Sequence, residues 1–499
     1  MENKLEFYLP GWLTQVLRKI ELEETLWLVG GAVRDALLLR ECKDFDFVCS
    51  SGGRRLARRL ANLLGAPYFS LDEERDTGRV LYQDEAGQTW CLDVTSLRGK
   101  SLKDDLLERD FTINALAVDV SADTAIIDTL GGQQDLREKV LRPCSAASLE
   151  NDPVRVLRAI RIAANLGFRI HQDTLEQISR TTDQLAVVSS ERIRDELFHI
   201  LSLENPVRAL RILQHLEVLS HLMAQIIPVR RNGRAESEES LLLDFKWISS
   251  FSTIENLVKT RDGDRANANL VAGILFNVLK PFRQDLDKYL SNCISADRPV
   301  KTLSILYQLF TLFVKHQGDE SLFTPLSSAR SRLVEDACSN LRLSRAETSF
   351  IISIPLLDFS NSIDKDIPLL VHRLVRSSGE AAAAGILISL AGWLSDGTAG
   401  QKEFDVNVIE TIQKVLHLIF HDPELIHPEP VMDGGRIMES LDISAGPQVG
   451  HLLQLVGEAQ VTGIVKTEQD ALDFLGSLKE KKKLRSIEDT PQYQSMQRL

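Results

Sequence analysis

The feature that most limits the folds open to this chain is a change of hydrophobic periodicity near Pro143. Before that point, strand-like runs alternate with helix-like ones, and glycines mark the turns between them. The strand-like runs cover residues 26–30, 44–50, 79–83 and 90–97, a helix-like run covers 54–64, and residues 112–120 and 125–130 are further apolar stretches. After that point apolar residues recur at helical spacing almost to the C-terminus. The pattern predicts an α+β protein, with a mixed α/β domain followed by an all-helical remainder.

Composition narrows the function classes. A formal net charge of -13 argues against a protein that coats nucleic acid indiscriminately, because that binding mode needs a broadly basic surface. Residues 141–234 nevertheless contain 13 Arg against 10 Asp and Glu, a balance of +3, with no Lys. This excess indicates either a local track for phosphates or amphipathic helices with Arg on their polar faces, and composition leaves the two readings even.

Cysteine spacing and hydropathy bear on compartment. The six cysteines form no C-x-x-C pair, so neither a disulfide framework nor a zinc site is predicted. No stretch approaches the about 18 consecutive apolar residues of a membrane span, and the N-terminus lacks the pattern of a signal peptide. We therefore expect a cytoplasmic protein that does not bind membranes.

The stretch LWLVGGAVRDALLLRECKDFDFVCS carries the first chemical signal. Gly30 and Gly31 follow an apolar run, and glycine at a strand-to-helix turn lets a phosphate approach the backbone and free N–H groups of the next helix. Arg34 could then bind the same phosphates. Asp44 and Asp46 lie two apart in a strand-like run, so both face one side, where a hard cation such as Mg²⁺ could bind. An isolated D-x-D is more often a solvated strand edge, but together these residues favour a site for a nucleotide and a metal.

Two further clusters follow. Arg109 and Asp110 stand at the polar entry to an apolar run, where the plain alternative is a surface ion pair. Asp152, Arg155 and Arg158 recur at intervals of three on one flank of a helix that we predict to begin at Asp152-Pro153 and to end at Gly167.

These blocks resemble a known family. GGAVRD, KDFDFV, ERDFTINALAVD, DPVRVLRAIRIAANLGF and SSERIRDEL, in this order and spacing, are similar to the bacterial-type (class II) tRNA nucleotidyltransferases that build the 3′-terminal CCA, and to the related poly(A) polymerases. The resemblance covers residues 24–202, with a weaker similarity in MDGGRIMESLDISAGPQVGHLLQLVGEAQVTGIV near the C-terminus.

The resemblance implies a polymerase-β-like nucleotidyltransferase head followed by a helical neck, body and tail. With the composition changes, it predicts a catalytic head at 1–140, a neck that binds RNA and nucleotide at 141–234, a helical body without a readable motif at 235–430, a C-terminal helical segment at 431–478 and a flexible tail at 479–499.

Roles are implied for the matched positions. Asp44 and Asp46 would hold Mg²⁺, with Asp44, Asp46 and Asp110 as the catalytic residues, so that the primer 3′-hydroxyl attacks the α-phosphate and pyrophosphate leaves. The expected nucleotide-binding residues are Gly30, Gly31, Arg34, Arg109, Asp152, Arg155 and Arg158. Asp152 and Arg155 match the family's protein template for the base. Arg can donate to cytosine N3 or adenine N1 and Asp can accept from the exocyclic amine, whereas uracil and guanine present the opposite pattern.

The sequence also departs from the family pattern. Glu108 stands where the family usually has Arg, and Asn151 where it usually has Glu. Only residues 100–105 separate the strand CLDVTSLRG from LLERD, where CCA-adding relatives normally have a longer flexible loop linked with the switch from C to A addition. The short connection resembles enzymes that add only CC and leave the terminal A to a separate partner enzyme.

The leading hypothesis is therefore an enzyme that adds C from CTP, and A from ATP if it makes the full CCA, to the tRNA 3′ end, with CC-only addition favoured. A poly(A) polymerase is the enzymatic alternative, and a non-catalytic RNA-binding module is the alternative from another class. Asp93 stays open as a third active-site carboxylate or an ordinary strand residue.

Overall fold

The structure is a computed structural model that describes residues 9–20, 25–120, 126–227, 243–259, 270–295, 298–316, 328–357, 366–395 and 406–480. Contacts divide the chain into two compact units, one formed mainly by Met1–Gln225 and the other mainly by Leu242–Leu499. The predicted tail lies outside the described residues except for its first two positions, which continue the last helix.

The first unit is built on a mixed seven-stranded sheet in the order β3-β4-β5-β2-β1-β6-β7. Only the central pair β2 and β5 is parallel, and the other neighbours are antiparallel. The strands are β1 (Leu26–Val29), β2 (Asp44–Cys49), β3 (Tyr68–Asp72), β4 (Thr77–Gln83), β5 (Thr89–Ser96), β6 (Leu116–Asp119) and β7 (Ile127–Asp128). The strand predictions at 26–30, 44–50, 79–83 and 90–97 are confirmed. In the apolar stretch 112–120, residues Thr112–Asn114 form a 3₁₀-helix, and β6 begins after it.

Side-chain alternation in β2 sets the two faces of the sheet. Phe45 and Phe47 are 2% and 1% exposed, whereas Asp44 and Asp46 reach solvent on the other face. A strand alternates its side chains between faces, so the two phenylalanines fix the strand in the core and both aspartates must leave it together. Their shared orientation follows directly from the D-F-D-F sequence.

Helices lie between the strands of the sheet in sequence, and the rest of the first unit after β7 is mostly helical. Helix α3 packs Ala57, Leu60 and Ala61 on the sheet and turns its arginines outward, as its amphipathic sequence predicts. The helices of this unit are α1 (Gly11–Lys19), α2 (Gly31–Leu37), α3 (Gly53–Leu64), α4 (Leu102–Leu107), α5 (Gly132–Glu138), α6 (Ser148–Asn151), α7 (Arg155–Leu166), α8 (Gln172–Thr181), α9 (Ser190–Leu201), α10 (Pro206–His215) and α11 (Val218–Ile226). The short strands β8 (Val140–Leu141) and β9 (Arg169–Ile170) pair in parallel among them.

The predicted start of the helix at Asp152-Pro153 is wrong. The short helix α6 precedes that position, Asp152 ends it in an extended conformation, and α7 begins only at Arg155. The Asp152 carboxylate does not cap the helix but accepts a hydrogen bond from Arg192 at 2.8 Å. Arg192, which is distant in sequence, therefore binds the carboxylate that would cap an isolated helix. The predicted end at Gly167 is confirmed, with φ +72° at that glycine.

The second unit is helical apart from one short β-ribbon. Trp247 is 1% exposed and donates its indole N–H to the carbonyl of Ile388 at 2.8 Å, which joins α12 to the buried helix α19. Its elements are α12 (Lys246–Lys259), α13 (Leu270–Leu279), α14 (Arg283–Ser291), β10 (Cys293–Ser295), β11 (Arg298–Pro299), α15 (Val300–His316), α16 (Ser328–Asn340), α17 (Arg345–Ile352), α18 (Ile367–Ser378), α19 (Ala381–Ser395), α20 (Val406–Phe420), α21 (Pro423–Ile426), α22 (Gly434–Leu441), α23 (Pro447–Val461) and α24 (Glu468–Glu480). The predicted α+β class, with a mixed head and a helical remainder, is confirmed.

The last three helices share a small core formed by Met432, Ile437, Leu452, Val456 and Leu475 among others. In the described part of the chain, no single helix has the length and apolar character needed to cross a bilayer. The pair α18 and α19 meets those criteria only jointly, and the two helices meet at 110°.

Candidate active site

The candidate site begins with carboxylates on neighbouring strands. The side chains of Asp44 and Asp46 project from the solvent-facing side of β2. The parallel register places Asp46 opposite Asp93 of β5. Asp93 is held by Arg79, whose Nε and Nη2 each donate to one of its oxygens at 2.7 Å. Asp93 therefore lies beside the predicted metal ligands, but its carboxylate is already paired with Arg79.

Asp46 carries an unfavourable charge in this setting. The residue reaches solvent, yet protein atoms surround its carboxylate, and this desolvation raises its pKa above the usual value. Arg109 lowers that pKa, while Asp93 and Asp44 raise it further by like-charge repulsion. A divalent cation would relieve this repulsion.

The residues present fit such a cation. Asp44 and Asp46 offer the hard oxygen donors that Mg²⁺ prefers, and a bound cation would offset the desolvation and the repulsion that raise the pKa of Asp46. Across the described ranges, no group of three His, Cys, Asp or Glu side chains is arranged to hold a metal ion. Two carboxylates are sufficient for Mg²⁺, which commonly takes its remaining ligands from substrate phosphates and water.

Gly30 occupies the turn where these groups meet. Its φ is +77°, a value that L side chains rarely adopt. A β-carbon at this position would lie 3.1 Å from Arg109 Nη1 and 3.3 Å from Asp46 Oδ2. The turn therefore needs glycine for its conformation and for the space that Arg109 and Asp46 take.

Arg34 lies over Gly31 and is held on three sides. Its Nε and Nη2 donate to the two oxygens of Asp35, both at 2.8 Å, and its Nη1 donates to Asn114 Oδ1 at 2.7 Å. The surface pairing of Arg34 with Asp35 exists, but the guanidinium is also only 15% exposed and anchored to the 3₁₀-helix. An arginine fixed in this way presents its remaining N–H groups in one direction.

Arg109 and Asp110 do not pair with each other. Arg109 donates Nε and Nη2 to the buried carboxylate of Asp105, both at 3.1 Å. Asp110 is 7% exposed; its Oδ1 accepts from the Phe111 N–H at 2.8 Å and from Asn114 at 3.0 Å. Its Oδ2 accepts from Arg158 Nε and Nη2 at 3.0 and 2.9 Å.

Asp110 is therefore a firmly ionised group. Burial alone would raise its pKa, but Arg158, Asn114 and the Phe111 N–H outweigh burial and lower the pKa to about 2. The alternative of an exposed ion pair does not apply here. Both carboxylate oxygens accept from the protein, and the catalytic role predicted for Asp110 stays a prediction.

The two residues predicted to read the base lie together at the start of α7. Arg155 Nε is 3.7 Å from Asp152 Oδ2. Arg155 also donates Nη2 to the carbonyl of Glu108 at 2.8 Å and Nη1 to the carbonyl of Arg109 at 3.2 Å and the hydroxyl of Ser148 at 2.9 Å. Asp152 Oδ1 is buried and has no hydrogen-bond partner among the described residues. Asp152 Oδ1 can thus accept a hydrogen bond from a donor that the described residues do not supply.

Arg158 pairs with carboxylates of the protein. Besides Asp110 it contacts Glu196 Oε1 of α9 at 3.2 Å, and Glu196 Oε2 accepts from Arg161 Nε at 2.8 Å. Of the three residues predicted on one helix flank, Arg158 therefore binds protein carboxylates. Its predicted contact with nucleotide stays untested.

The sequence patterns missed three residues that organise this site: Asp105, Asn114 and Glu196. Their partners lie far away in sequence, as the separations of 80 positions for Asn114 to Arg34 and 38 for Glu196 to Arg158 show. Asp105 could have been found, because it precedes Arg109 by four positions, the spacing of an ion pair on a helix.

The connection before this cluster is short and ordered. Strand β5 ends at Ser96 and α4 begins at Leu102, after a turn in which Gly99 has φ +82°. The Ser101 hydroxyl accepts from the Asp104 N–H at 3.3 Å and caps α4. Most of the segment 100–105 is thus helix rather than loop, and this helix carries Asp105, the partner of Arg109.

Comparisons with known proteins agree with this fold. Residues 26–142 match the "Poly A polymerase head domain", and residues 167–228 match the "Probable RNA and SrmB- binding site of polymerase A". The chain is 47% identical over 181 residues to the CC-adding tRNA nucleotidyltransferase of Geobacter sulfurreducens, a match that covers 36% of this chain and 41% of that protein. It is 28% identical to the A-adding tRNA nucleotidyltransferase of Deinococcus radiodurans, over 90% of this chain and 94% of that protein.

A solved structure extends the likeness to the fold of the second unit. A CCA-adding enzyme in complex with ATP has a TM-score of 0.60 and 19% identity, with 95% of this chain and 97% of that chain covered. At this identity the likeness shows the fold alone. The matched head and RNA-binding regions show that this chain contains domains of the poly(A) polymerase type, and over nearly its whole length the chain is similar to a tRNA nucleotidyltransferase.

Proposed function

We propose that this protein is a nucleotidyltransferase that adds cytidine to the 3′ end of tRNA from CTP and releases pyrophosphate. The single observation that carries the proposal is the convergence, at one glycine turn, of Asp46, Arg109 and Gly30 beside the anchored Arg34. Relatives named for adding CC or A to tRNA support the substrate class.

In this proposal the chain's own residues hold the triphosphate. Arg34 and Arg109 each have their guanidinium fixed by a protein carboxylate, Asp35 and Asp105 respectively, and turn further N–H groups toward the Gly30 turn, where phosphates can bind. Asp44 and Asp46 would hold Mg²⁺. When bound, Mg²⁺ makes the attacking hydroxyl more acidic and offsets the charge that develops on the phosphates.

Base selection is assigned to Asp152 and Arg155. Asp152 Oδ1 is buried and lacks a partner among the described residues, so it can accept from the exocyclic amine of cytosine. Arg155 Nε–H lies beside Asp152 and can donate to cytosine N3. Uracil would present a carbonyl to the buried carboxylate and leave both groups unsatisfied, which costs about 1 to 3 kcal/mol per group.

We further propose that addition stops after CC. The support is the short connection to α4, which is capped and helical and leaves little chain for the movement associated with A addition in related enzymes. A separate enzyme would then add the terminal A. The similar proteins include both CC-adding and A-adding enzymes, and an assay of the product distinguishes the two activities.

The test is a primer-extension assay with full-length protein, Mg²⁺ and tRNA that lacks its three terminal nucleotides, given CTP, ATP or both. The proposal expects two added C residues and no A. Addition of A after CC would contradict CC-only activity, and a long A tail would favour a poly(A) polymerase.

The double variant Asp44→Ala with Asp46→Ala supplies the catalytic control. We expect loss of incorporation with tRNA affinity nearly unchanged, because the carboxylates serve the reaction rather than docking. Unchanged turnover in this variant would remove the site assignment, and absence of incorporation by the wild-type protein would remove the function.

A further inference from the structure

We propose that Asn114 is a positioning residue for nucleotide addition, whose side-chain amide holds the guanidinium of Arg34 and the carboxylate of Asp110 in fixed orientations. The inference deepens the proposed function and rests on it. Asn114 is 6% exposed and ends the 3₁₀-helix Thr112–Asn114, directly before β6 of the central sheet.

The orientation of the amide is fixed by its two partners. Arg34 can only donate, so the oxygen of Asn114 must face Arg34 Nη1, at 2.7 Å. The ionised Asp110 can only accept, so the nitrogen of Asn114 must face Asp110 Oδ1, at 3.0 Å. No hydrophobic side chain and no carboxylate satisfies both neighbours at once.

A neutral link between these charges has a structural consequence. The chain of contacts runs Asp35, Arg34, Asn114, Asp110, Arg158 and Glu196, from the helix after the glycine turn to helix α9. Asp110 is fully committed to Arg158 and Asn114, so it does not draw Arg34 into a salt bridge. Asn114 thereby ties Arg34, which already pairs with Asp35, to the network without adding a second negative charge beside it.

Arg34 benefits directly from this arrangement. Its contacts with Asp35 and Asn114 use three of the five N–H groups of a guanidinium and leave one on Nη1 and one on Nη2 without a partner in the described part of the chain. Two adjacent N–H groups on a guanidinium match two oxygens of a phosphate. Loss of Asn114 would remove one of the three hydrogen bonds that fix the guanidinium and would weaken this match.

The test compares Asn114→Leu with Thr112→Val in the full-length protein. Thr112 is a matched control because it lies in the same 3₁₀-helix, is 2% exposed, and donates to Asp135 at 2.6 Å, outside the Arg34 network. Asn114→Leu loses two buried polar contacts and Thr112→Val loses one, so both are expected to lower the thermal unfolding midpoint. Only Asn114→Leu is expected to raise KM for CTP, by about tenfold, the factor typical for loss of a hydrogen bond to a charged group.

A second variant, Asn114→Asp, gives a signature that a structural defect would not produce. Its carboxylate would lie beside Asp110, and two carboxylates at this distance share one proton. The protonated Asp side chain can accept from Arg34 and donate to Asp110, which reproduces the amide. The kcat/KM of this variant relative to wild type should therefore rise as the pH falls from 8.5 to 6, against a flat ratio for Asn114→Leu.

The charged and titratable groups that face this pair are Arg34 from α2, Arg158 from α7, and the Cys144 thiol, whose pKa is raised by burial and by Asp110. The two arginines are charged throughout the tested range and the raised thiol stays protonated. A change of the ratio within that range would thus belong to the new carboxylate.

The outcomes separate the two proposals. If wild-type protein extends tRNA but Asn114→Leu matches Thr112→Val in KM, or the Asn114→Asp ratio is flat, the positioning role is wrong and the function stands. If wild-type protein extends no tRNA, the function is wrong. In that case, unchanged CTP affinity of Asn114→Leu in calorimetry would also remove the positioning role, and an approximately tenfold loss would sustain it.

Discussion

At the scale of single residues, the site contrasts two aspartates whose surroundings drive their pKa values apart. Desolvation and repulsion from the nearby Asp93 and Asp44 raise the pKa of Asp46. Arg158 and the hydrogen bonds of Asp110 lower the pKa of Asp110. Such divergence is typical of residues with separate roles in one site. The divergence is consistent with a cation-binding role for Asp46 and with a permanently ionised, fixed carboxylate at Asp110.

Asp46→Asn should raise the unfolding midpoint of the metal-free protein at neutral pH while abolishing nucleotide incorporation. In the folded state the pKa of Asp46 lies above its unfolded value, so ionisation disfavours folding at pH values above both. The gain should shrink as the pH falls toward about 4, where the unfolded state also binds the proton. Thermal denaturation with a chelator present measures it, and a lower midpoint at neutral pH would contradict the assignment.

Asp110→Asn should have the opposite effect on stability. The folded pKa of about 2 lies below the unfolded value, so the ionised group stabilises the fold above pH 5 and this contribution fades as the pH falls toward 2. The loss at pH 7 should be about 2 kcal/mol, and the acid limb of the stability curve should flatten. Urea titrations across pH measure both effects.

Asp183→Asn is the matched control for that comparison, because Asp183 is 86% exposed and meets only His221 at 3.1 Å among its described partners. Its variant should lie within about 0.5 kcal/mol of wild type, as surface pairs usually do. Equal losses in the two variants would show that Asp110 is no more coupled to folding than a surface acid.

At the scale of elements, local patterns predicted what local forces decide. The D-F-D-F alternation places β2 correctly, since each side chain needs only its own face, and Gly167 ends α7 because its own backbone adopts the left-handed region. The start of α7 was predicted wrongly because Arg192, 40 positions away, takes the Asp152 carboxylate. Asn114 and Glu196 escaped notice for the same reason: their function depends on partners that only the fold brings near.

Helices α7 and α9 are joined by one buried acid. Glu196 is 8% exposed and pairs with Arg158 and Arg161 of α7. Glu196→Ala should destabilise the protein by about 2 kcal/mol, because both arginines lose a charged hydrogen-bond partner that is largely hidden from water. Differential denaturation against wild type measures the loss.

Glu191→Ala on the first turn of α9 provides the comparison. Glu191 is exposed and lies outside the Arg158 network, so its variant should change stability by no more than about 0.5 kcal/mol. If Glu196→Ala proves as mild as Glu191→Ala, then α7 and α9 are held together by apolar packing alone.

At the scale of the whole molecule, chemistry and mass are divided unequally. The residues assigned to the reaction all lie in the first unit, while the second unit is a helical body with its own buried cores. The family comparisons reach the same limit, since the matched models end at residue 228. The second unit carries the fold of CCA-adding enzymes without a residue pattern that the sequence alone could assign.

Trp247→Ala should separate the two units thermally. Trp247 is buried in the second unit and donates to the carbonyl of Ile388, so its removal leaves a cavity and takes away that hydrogen bond, at a cost of about 4 kcal/mol. Calorimetry should show a lower transition for the second unit, while a transition for the first unit stays in place. A single transition shifted as a whole would show instead that the two units unfold together.

The grip of Arg155 on the carbonyls of Glu108 and Arg109 also bears on how this sequence can diverge. A backbone carbonyl is the same whatever side chain follows it, so the contact places no demand on the residue type at position 108. Glu108, where relatives usually carry arginine, is therefore a substitution that the contact tolerates. A substitution at position 108 can therefore reverse the local charge while Arg155 keeps its anchor.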